Sequence, residues 1–496
     1  MPQQAQPQTT VAPTATTAAS GAATATGGET HGHDTRTHQA QPRSRPGIAL
    51  AVILSAQLML MIDATVMNVA LPRIATGLHF TSSSLAWVLD SYTLTFGGLL
   101  LLGGRLGDLV GRRRLFTLGI ALFTLASLAG GLATSASWLL ITRVLQGVGA
   151  AAAGPSAIAL LNSTFTDPKA RVRALSLFAG MSSAGFSLGL ILGGMLTEAL
   201  DWRWVMFINV PFGAVATLLA PRYLKQPPRH ETQLDVFGAI AATAGIGSLV
   251  YGLIHAASNG WGNTATVAPI TAGVVLLAGF LLLQLRAEHP LLPLHLFKDR
   301  NRAAAYANYL LGPAAGMGTF FFLTQYLQDV LHYSPVRTGF AFLPMAALVF
   351  TMSRLVPRLL PRFGPKPMAV LGTVLMLSGL IGFTQVGQHS SYFADLLAPM
   401  LLMGLGMGLA FSPLMVVIMA TVRPEDAGAA GGTMQTLQQT GVTLGLAVLV
   451  TIAGSASRAH PATAITSGTT AAMATAAVIS VLTVLVSLTF KPTRTN

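Results

Sequence analysis

The sequence predicts an all-α polytopic membrane protein, and three observations carry that prediction. Charged residues make up 9 % of the chain and hydrophobic ones 52 %, with a mean hydropathy of +0.61, whereas an ordinary soluble domain is about 25 % charged. Apolar stretches of about 20 residues recur along the chain, each long enough as a helix to cross a ~30 Å hydrocarbon core. Lysine and arginine are confined almost entirely to alternate loops. The absence of cysteine excludes disulfides and thiolate metal sites and leaves the compartment open.

Residues 1–46 are rich in Ala, Thr, Gln, Pro and Gly and lack apolar periodicity, so a disordered cytoplasmic tail is expected. Its His31, His33 and His38 read as solvated side chains, and no metal site is expected. No cleavable signal peptide is expected, because the first apolar run begins near Gly47 and is long enough to span. Spans are predicted near 47–72, 83–104, 115–133, 138–161, 172–199, 203–221, 236–256, 266–285, 303–328, 337–358, 367–387, 394–417, 430–454 and 467–489, about fourteen helices in all.

With the amino terminus inside, 24 of the 29 basic residues fall on the cytoplasmic side. Only Arg73, Arg203, Arg337 and Arg458 fall outside, and Arg143 alone lies within a predicted span. Basic loops are retained in the cytoplasm, so both termini are expected inside, in a cytoplasmic (inner) cell membrane. The net charge of +13 is then a topology signal, and nucleic-acid binding is not expected.

A weak internal repeat appears at a shift of 253 residues. It places Arg105-Leu106 on Arg358-Leu359, Gly111 on Gly364, Arg113 on Lys366, Leu118-Gly119 on Leu371-Gly372, and His79-Phe80-Thr81 on His332-Tyr333-Ser334. At a shift of 256, Pro168, Gly185 and Gly189 fall on Pro424, Gly441 and Gly445. Two six-helix halves with an inserted helix pair explain both shifts. The expected organisation is a six-helix bundle over 47–221, a linker with two extra transmembrane helices over 222–302, a second bundle over 303–490, and a cytoplasmic tail over 491–496.

An ionisable group in hydrocarbon costs at least about 2.5 kcal/mol, so each one calls for an explanation. Asp63 lies about nine residues before the outer end of the first predicted span. Asp90 lies about seven residues after the outer start of the second. The depths are roughly 14 and 10 Å, which would let both face one outward-half cavity. Access to water can switch a buried carboxyl between protonated and ionised forms, which is what proton coupling requires. The 253-residue shift carries Asp63 onto Gly316 and Asp90 onto Leu343, so proton handling belongs to the first half. Arg143 cannot lose its proton and needs a carboxylate, a carbonyl or water nearby. Glu198 and Asp329 lie near span ends, where charge is cheap, and Asp395 and Glu288 read as loop residues.

Gly185, Gly189, Gly193 and the adjoining Gly194 are expected to let another backbone approach the fifth span, as packing or as a hinge. Met59, Met61 and Met67, with Trp87, Phe96, Gln146 and Gln435, are candidates for lining a substrate cavity.

The segment Gly104-Arg-Leu-Gly-Asp-Leu-Val-Gly-Arg-Arg-Arg114 reads as a tight loop between spans. It resembles the loop between the second and third helices of major facilitator superfamily transporters. Met61-Ile-Asp63-Ala-Thr65-Val-Met-Asn68-Val-Ala-Leu-Pro72, Trp87-Val-Leu-Asp90-Ser-Tyr92, Arg143-Val-Leu-Gln146-Gly147, Trp202-Arg-Trp-Val-Met-Phe-Ile-Asn209-Val-Pro211 and Asp235-Val-Phe-Gly238 resemble, in the same order, the fourteen-span drug:proton antiporters of that superfamily. The match runs from about 47 to 490.

The resemblance implies two six-helix bundles rocking around a central cavity and exporting lipophilic, often cationic, compounds in exchange for protons. It implies a proton-coupling role for Asp63, with Arg143 as the helix-4 arginine and Asp90 as an acidic position of some members that export organic cations. It implies a gating loop at Gly104, Asp108, Gly111, Arg112 and Arg113. Two departures stand out. Leu190 follows Gly189 where the family usually has proline, which puts the kink of the fifth helix in doubt. Gln435, Gln438 and Gln439 stand where some polyspecific members carry acidic residues, which suggests a narrower or less cationic substrate range.

The expected function is a proton-coupled bacterial efflux antiporter that exports lipophilic drugs or antibiotics by alternating access and confers resistance. Its expected partners are a lipophilic small molecule, protons and membrane lipid, on a chain acting as a monomer. No cofactor beyond the proton-motive force is expected, since no Gly-x-x-x-x-Gly-Lys-[Ser/Thr] phosphate loop is present. A proton-linked metabolite transporter of the same fold is the alternative. A membrane enzyme is not expected, because His-Glu-x-x-His and Gly-x-Ser-x-Gly patterns are absent.

Overall fold

The computed structural model describes residues 46–81, 84–227, 235–287, 290–420, 422, 426–460 and 463–491. The expected tail before Pro46, with its three histidines, and Glu288 lie outside the described residues.

The chain forms α1 (Pro46–Leu78), α2 (Trp87–Val110), α3 (Arg112–Gly131), α4 (Ala136–Thr164), α5 (Pro168–Ala199), α6 (Trp204–Phe207), α7 (Asn209–Tyr223), α8 (Val236–Asn259) and α9 (Thr264–Arg286). There follow α10 (Arg300–Gln325), α11 (Pro335–Ala341), α12 (Leu343–Phe363), α13 (Pro365–Phe383), α14 (Leu397–Met419), α15 (Ala427–Ala459) and α16 (Ala464–Leu488). Among the described residues, twelve helices are long and apolar enough to cross a membrane, with α6–α7 and α11–α12 each counting as one. The remaining two of the fourteen rods are α5, apolar over Ala184–Ala199, and α10, which opens on Arg300 and Arg302.

Helix ends explain several of the acidic residues. Asp167, Asp235 and Asp299 each accept a backbone N–H at the start of α5, α8 and α10, at 2.8, 2.7 and 2.8 Å. Each meets orphan donors that hydrocarbon would leave unsatisfied.

Two features depart from the sequence reading. First, α1 continues through Pro72 to Leu78. Second, the Gly104–Arg114 segment is helical except at Gly111, whose φ of +107° makes a one-residue link between α2 and α3. Past Pro72, Ile74 and Leu78 are buried and Trp202 packs on Gly77, while Gly107 leaves room for the Arg112 side chain that pairs with Asp108, so tertiary contacts hold these turns helical.

The repeat reappears as geometry. Gly364 matches Gly111 with φ +76°, and His79 and His332 share φ of 55° and 54°, an uncommon conformation for a residue with a Cβ. Gly119 and Gly149 bring α3 and α4 together so closely that a Cβ on either would lie 2.6 Å from the other's carbonyl oxygen. In the second half, Gly372 of α13 and Gly406 of α14 form the same contact. Likewise Gly185 packs on Leu58 and Met61 of α1, as Gly441 packs on Leu310 of α10. Small residues at such crossings drive helix association where no hydrophobic effect operates between helices.

Between the halves, α8 lies against both α2 and α15. Gly98 faces Thr243, Gly247 faces Leu94, and Thr451 Oγ1 donates to the Leu253 carbonyl at 2.6 Å. The pair α8–α9 is tied at its other end, where Gln284 donates to Asp235 at 2.6 Å and accepts from Leu292 N–H at 3.0 Å.

The halves meet directly on the side of the α1 C-terminus. There Gly194 of α5 packs on Pro335 and Val336, Glu198 accepts the Val336 N–H at 2.9 Å, and Gln328 donates to the Val69 carbonyl at 2.9 Å. A second contact between the halves joins α2 to α15, where the Thr93 and Thr443 hydroxyls are bonded at 2.8 Å and Gly97 abuts Gln439. Helix α5 is unbroken through Gly189 and a buried Leu190, whose backbone N–H remains available where a proline would remove it.

Close packing of the α3–α4 pair predicts that Gly119→Val destabilises the purified protein by about 1–3 kcal/mol through overpacking. Gly279→Val, at a position with open space around the Cβ, should leave thermal unfolding unchanged. Equal melting temperatures for the two variants would contradict the packing assigned to Gly119.

Candidate functional site

The site begins with a helix that tolerates close neighbours. On α4, a Cβ at Gly147 would meet the Tyr92 carbonyl at 2.8 Å, and one at Gly149 would meet the Phe123 backbone. With α2 and α3 drawn in this closely, the side chains of Arg143 and Gln146 reach into the middle of the first half.

There Arg143 Nη1 donates to Asp63 Oδ2 at 2.7 Å and to Gln146 Oε1 at 2.9 Å, while Nε donates to the Val88 carbonyl at 2.9 Å. The guanidinium also lies 4.5 Å from the centre of the Tyr92 ring. The other carboxylate oxygen, Asp63 Oδ1, accepts from Gln146 Nε2 at 3.1 Å and from Asn209 Nδ2 at 2.7 Å. Gln146 Nε2 donates as well to Ser127 Oγ at 2.7 Å, and Ser127 donates to the Phe123 carbonyl. Five helices, α1, α2, α3, α4 and α7, thus contribute to one network. Asp63, Gln146 and Ser127 are fully buried, and Arg143 and Asn209 are each 1 % exposed.

Asn209 is held there by the break between α6 and α7. Pro211 has no N–H to give the Phe207 carbonyl, and the helix interrupts at Ile208, so Asn209 opens α7. The preceding segment is anchored by Arg203, which bonds the Ala133 carbonyl at 3.1 Å, and by Trp202, which packs on Gly77. Asn209 lies in one of the segments that carry the family resemblance, but nothing in the sequence alone assigns it a role of its own. The available signal was an amide beside a proline inside an apolar run.

Asp90 lies apart from this network. Because α1 extends to Leu78, Asp63 is 15 residues from its end (78 minus 63), about 22 Å along the axis. Asp90 sits instead in the first turn of α2. Among the described residues, no hydrogen bond or ion pair joins the two, and both Asp90 carboxyl oxygens are buried without a hydrogen-bond partner. Asp90 shares a helical face with Thr93 and Gly97, which touch Thr443 and Gln439 of α15. It therefore points at the seam between the halves.

The remaining candidates are spread more widely. Asp108 pairs with Arg112 at 2.6 Å, and Arg113 bonds the carbonyls of Pro221 and Leu224 at 3.2 and 3.3 Å. The bonds described for this charged cluster stay within the first bundle and the start of the linker that follows it. Gly185, Gly189 and Gly193 pack on α1, whereas Gly194 meets α11 of the second half. Of the candidate cavity residues, Met59 and Met67 are fully buried, and Phe96 stacks on Tyr92 with ring centres 5.8 Å apart. Met61, Trp87 and Gln435 are half-buried. Gln146 has both ends of its amide committed to the Asp63 network.

Two repeated helical halves, joined by an inserted pair and holding a buried ion-pair network, define a multi-pass membrane transporter. The chain belongs to the Major Facilitator Superfamily, whose sequence model matches residues 53–446. It is 41 % identical over 426 residues to the puromycin resistance protein pur8 of Streptomyces alboniger, covering 85 % of this chain and 84 % of that one. Against the cephamycin export protein CmcT of Amycolatopsis lactamdurans it is 38 % identical over 433 residues, covering 86 % and 89 %. An auto-inhibited peptide transporter of the POT family shares the fold, with a TM-score of 0.65 at 14 % identity over 90 % of this chain and 98 % of that one.

The buried pair makes an asymmetric prediction for stability. Asp63→Leu strands a permanent cation and should cost about 3–5 kcal/mol in detergent unfolding. Arg143→Leu should cost less, because a carboxyl can neutralise itself by taking up a proton, and the double variant should recover part of the Asp63→Leu loss. Strictly additive losses would show that the two groups do not interact.

Proposed function

We propose that this protein is an efflux antiporter that exports a lipophilic antibiotic or drug across the cytoplasmic membrane in exchange for protons, with both termini inside. The observation that carries the proton reading is Asp63, an acid fully buried in an otherwise apolar bundle and held by Arg143, Gln146 and Asn209. The export reading rests on family membership and on two relatives named for puromycin resistance and cephamycin export.

Asp63 links its charge to the arrangement of the helices. Adding a proton to it here would leave Arg143 buried without its counter-charge, which is strongly unfavourable. Proton arrival is therefore tied to an arrangement in which water or another group reaches the guanidinium. Asp90 complements it. Both Asp90 carboxyl oxygens lack a hydrogen-bond partner while the seam is closed, and opening the seam to water supplies one, so proton exchange there follows the motion of the halves. A drug arriving from the cytoplasm then competes with that proton for the same conformational cycle.

A proton entering down about 100 mV releases about 2.3 kcal/mol, enough for roughly a 50-fold gradient of a neutral substrate. The substrate meets apolar and amide groups on α1, α2 and α15, including Met61, Phe96 and Gln435. No enzymatic step and no cofactor are part of this proposal.

Inverted membrane vesicles acidified inside test it with a panel of lipophilic antibiotics. The expected result is a drug-evoked loss of the pH gradient in the parent that is abolished in Asp63→Asn and reduced in Asp90→Asn at matched expression. Drug-evoked flux unchanged in both variants would remove the proton assignment. Absence of flux with every compound would favour a metabolite transporter.

A further inference from the structure

We propose that Asn209 is a positioning residue of the proton site, whose amide serves both charge states of Asp63. The proposal rests on the reading that Asp63 exchanges the proton.

Three side chains touch the Asp63 carboxylate, and they differ in what they can do once it is protonated. Arg143 has only donors. Gln146 is committed at both ends, accepting from Arg143 at 2.9 Å and donating to Ser127 at 2.7 Å, so turning its amide would break both bonds. Asn209 donates through Nδ2 to Asp63 Oδ1 at 2.7 Å, while its own Oδ1 is buried without a hydrogen-bond partner among the described residues.

That idle acceptor has no role while Asp63 is a carboxylate, which can only accept. It gains one when Asp63 carries a proton. An O–H in this buried place needs an acceptor, and a half-turn of the Asn209 amide about Cβ–Cγ exchanges Nδ2 for Oδ1 at the same spot. The new O–H is then satisfied at the same spot, and Arg143 takes the replacement partner that the rearranged helices bring to it. Asn209 suits the task because it opens α7 at the Ile208 break, while the backbone behind it is anchored through Arg203 and Trp202. Asparagine therefore acts here as a reversible partner, and Arg143 and Gln146 act as fixed donors to the anion.

The test is the pH dependence of drug-evoked proton release from the purified protein in weakly buffered detergent. Asn209→Leu keeps the branched outline, with somewhat larger volume, but removes both the donor and the acceptor. Both charge states lose a partner, and a hydrogen bond to the anion is worth about twice one between neutral groups, so the midpoint of release should move upward, by about half to one pH unit. Asn209→Gln, whose amide keeps both the donor and the acceptor on a longer arm, should stay nearer the parent midpoint. Asn209→Ala should show the same upward shift and replaces the leucine variant should that one fail to assemble. A midpoint unmoved in the leucine and alanine variants, with Asp63→Asn still abolishing release, would overturn the role of Asn209 and leave Asp63 as the proton site. Parental release from Asp63→Asn would instead remove the proton reading, and this proposal with it.

Discussion

The arrangement of the first half depends on one buried ion pair. Asp63 and Arg143 approach to 2.7 Å at a place where neither is more than 1 % exposed. An interior charge of this kind is tolerable only when paired and fully hydrogen-bonded. That requirement accounts for much of the surrounding chemistry. Val88 offers a carbonyl, Tyr92 a ring face, Ser127 a hydroxyl to position Gln146, and Asn209 an amide from a helix broken at the right residue. Glycines on α4 and α5 make the approach possible, because only a residue without a Cβ lets these helices come close enough for the side chains to meet.

The same constraint separates the two halves of the molecule. The second half repeats the glycine contacts and the positive-φ turns of the first, yet Gly316 and Leu343 stand where the first half has Asp63 and Asp90. Its seam with the first half is built from threonine hydroxyls, amides, backbone groups and one exposed carboxylate, Glu198. Such contacts can part and re-form without stranding a buried charge, which suits an interface that opens. The ion pair lies inside one half and cannot be parted cheaply, so it parts only where water or another group replaces Asp63 at the guanidinium. Asp90, pointing at the seam, is placed where opening of the halves changes its surroundings most.

Much of this was legible in the sequence, for physical reasons that can be named. Hydropathy and the loop distribution of lysine and arginine predicted fourteen rods, because hydrocarbon thickness and backbone satisfaction leave few alternatives. Asp63 and Arg143 stood out because charge in an apolar run is costly, and the 253-residue repeat was carried by turn residues whose backbone conformations then matched. Other features were hidden. Gln146 looked like a cavity residue because periodicity cannot say which polar partner a buried amide meets. Asn209 was passed over because asparagine carries no charge and so no large desolvation signal. The extent of α1 beyond Pro72, and the helical turns inside the glycine-rich hairpin, follow from tertiary contacts of Ile74, Gly77, Leu78 and Gly107, which periodicity along the chain does not reveal.

The chain has no cysteine, so spin labels can be placed at will. Labels introduced by Leu200→Cys and Phe340→Cys, both at exposed positions on the closed side, report the separation of the halves as a distance distribution. Proton-driven rocking predicts that this distribution shifts with pH in the otherwise parental protein and no longer responds in the variant carrying both Asp63→Asn and Asp90→Asn. A pH response that survives intact in the double variant would contradict the claim that these two buried acids couple protons to the movement of the halves.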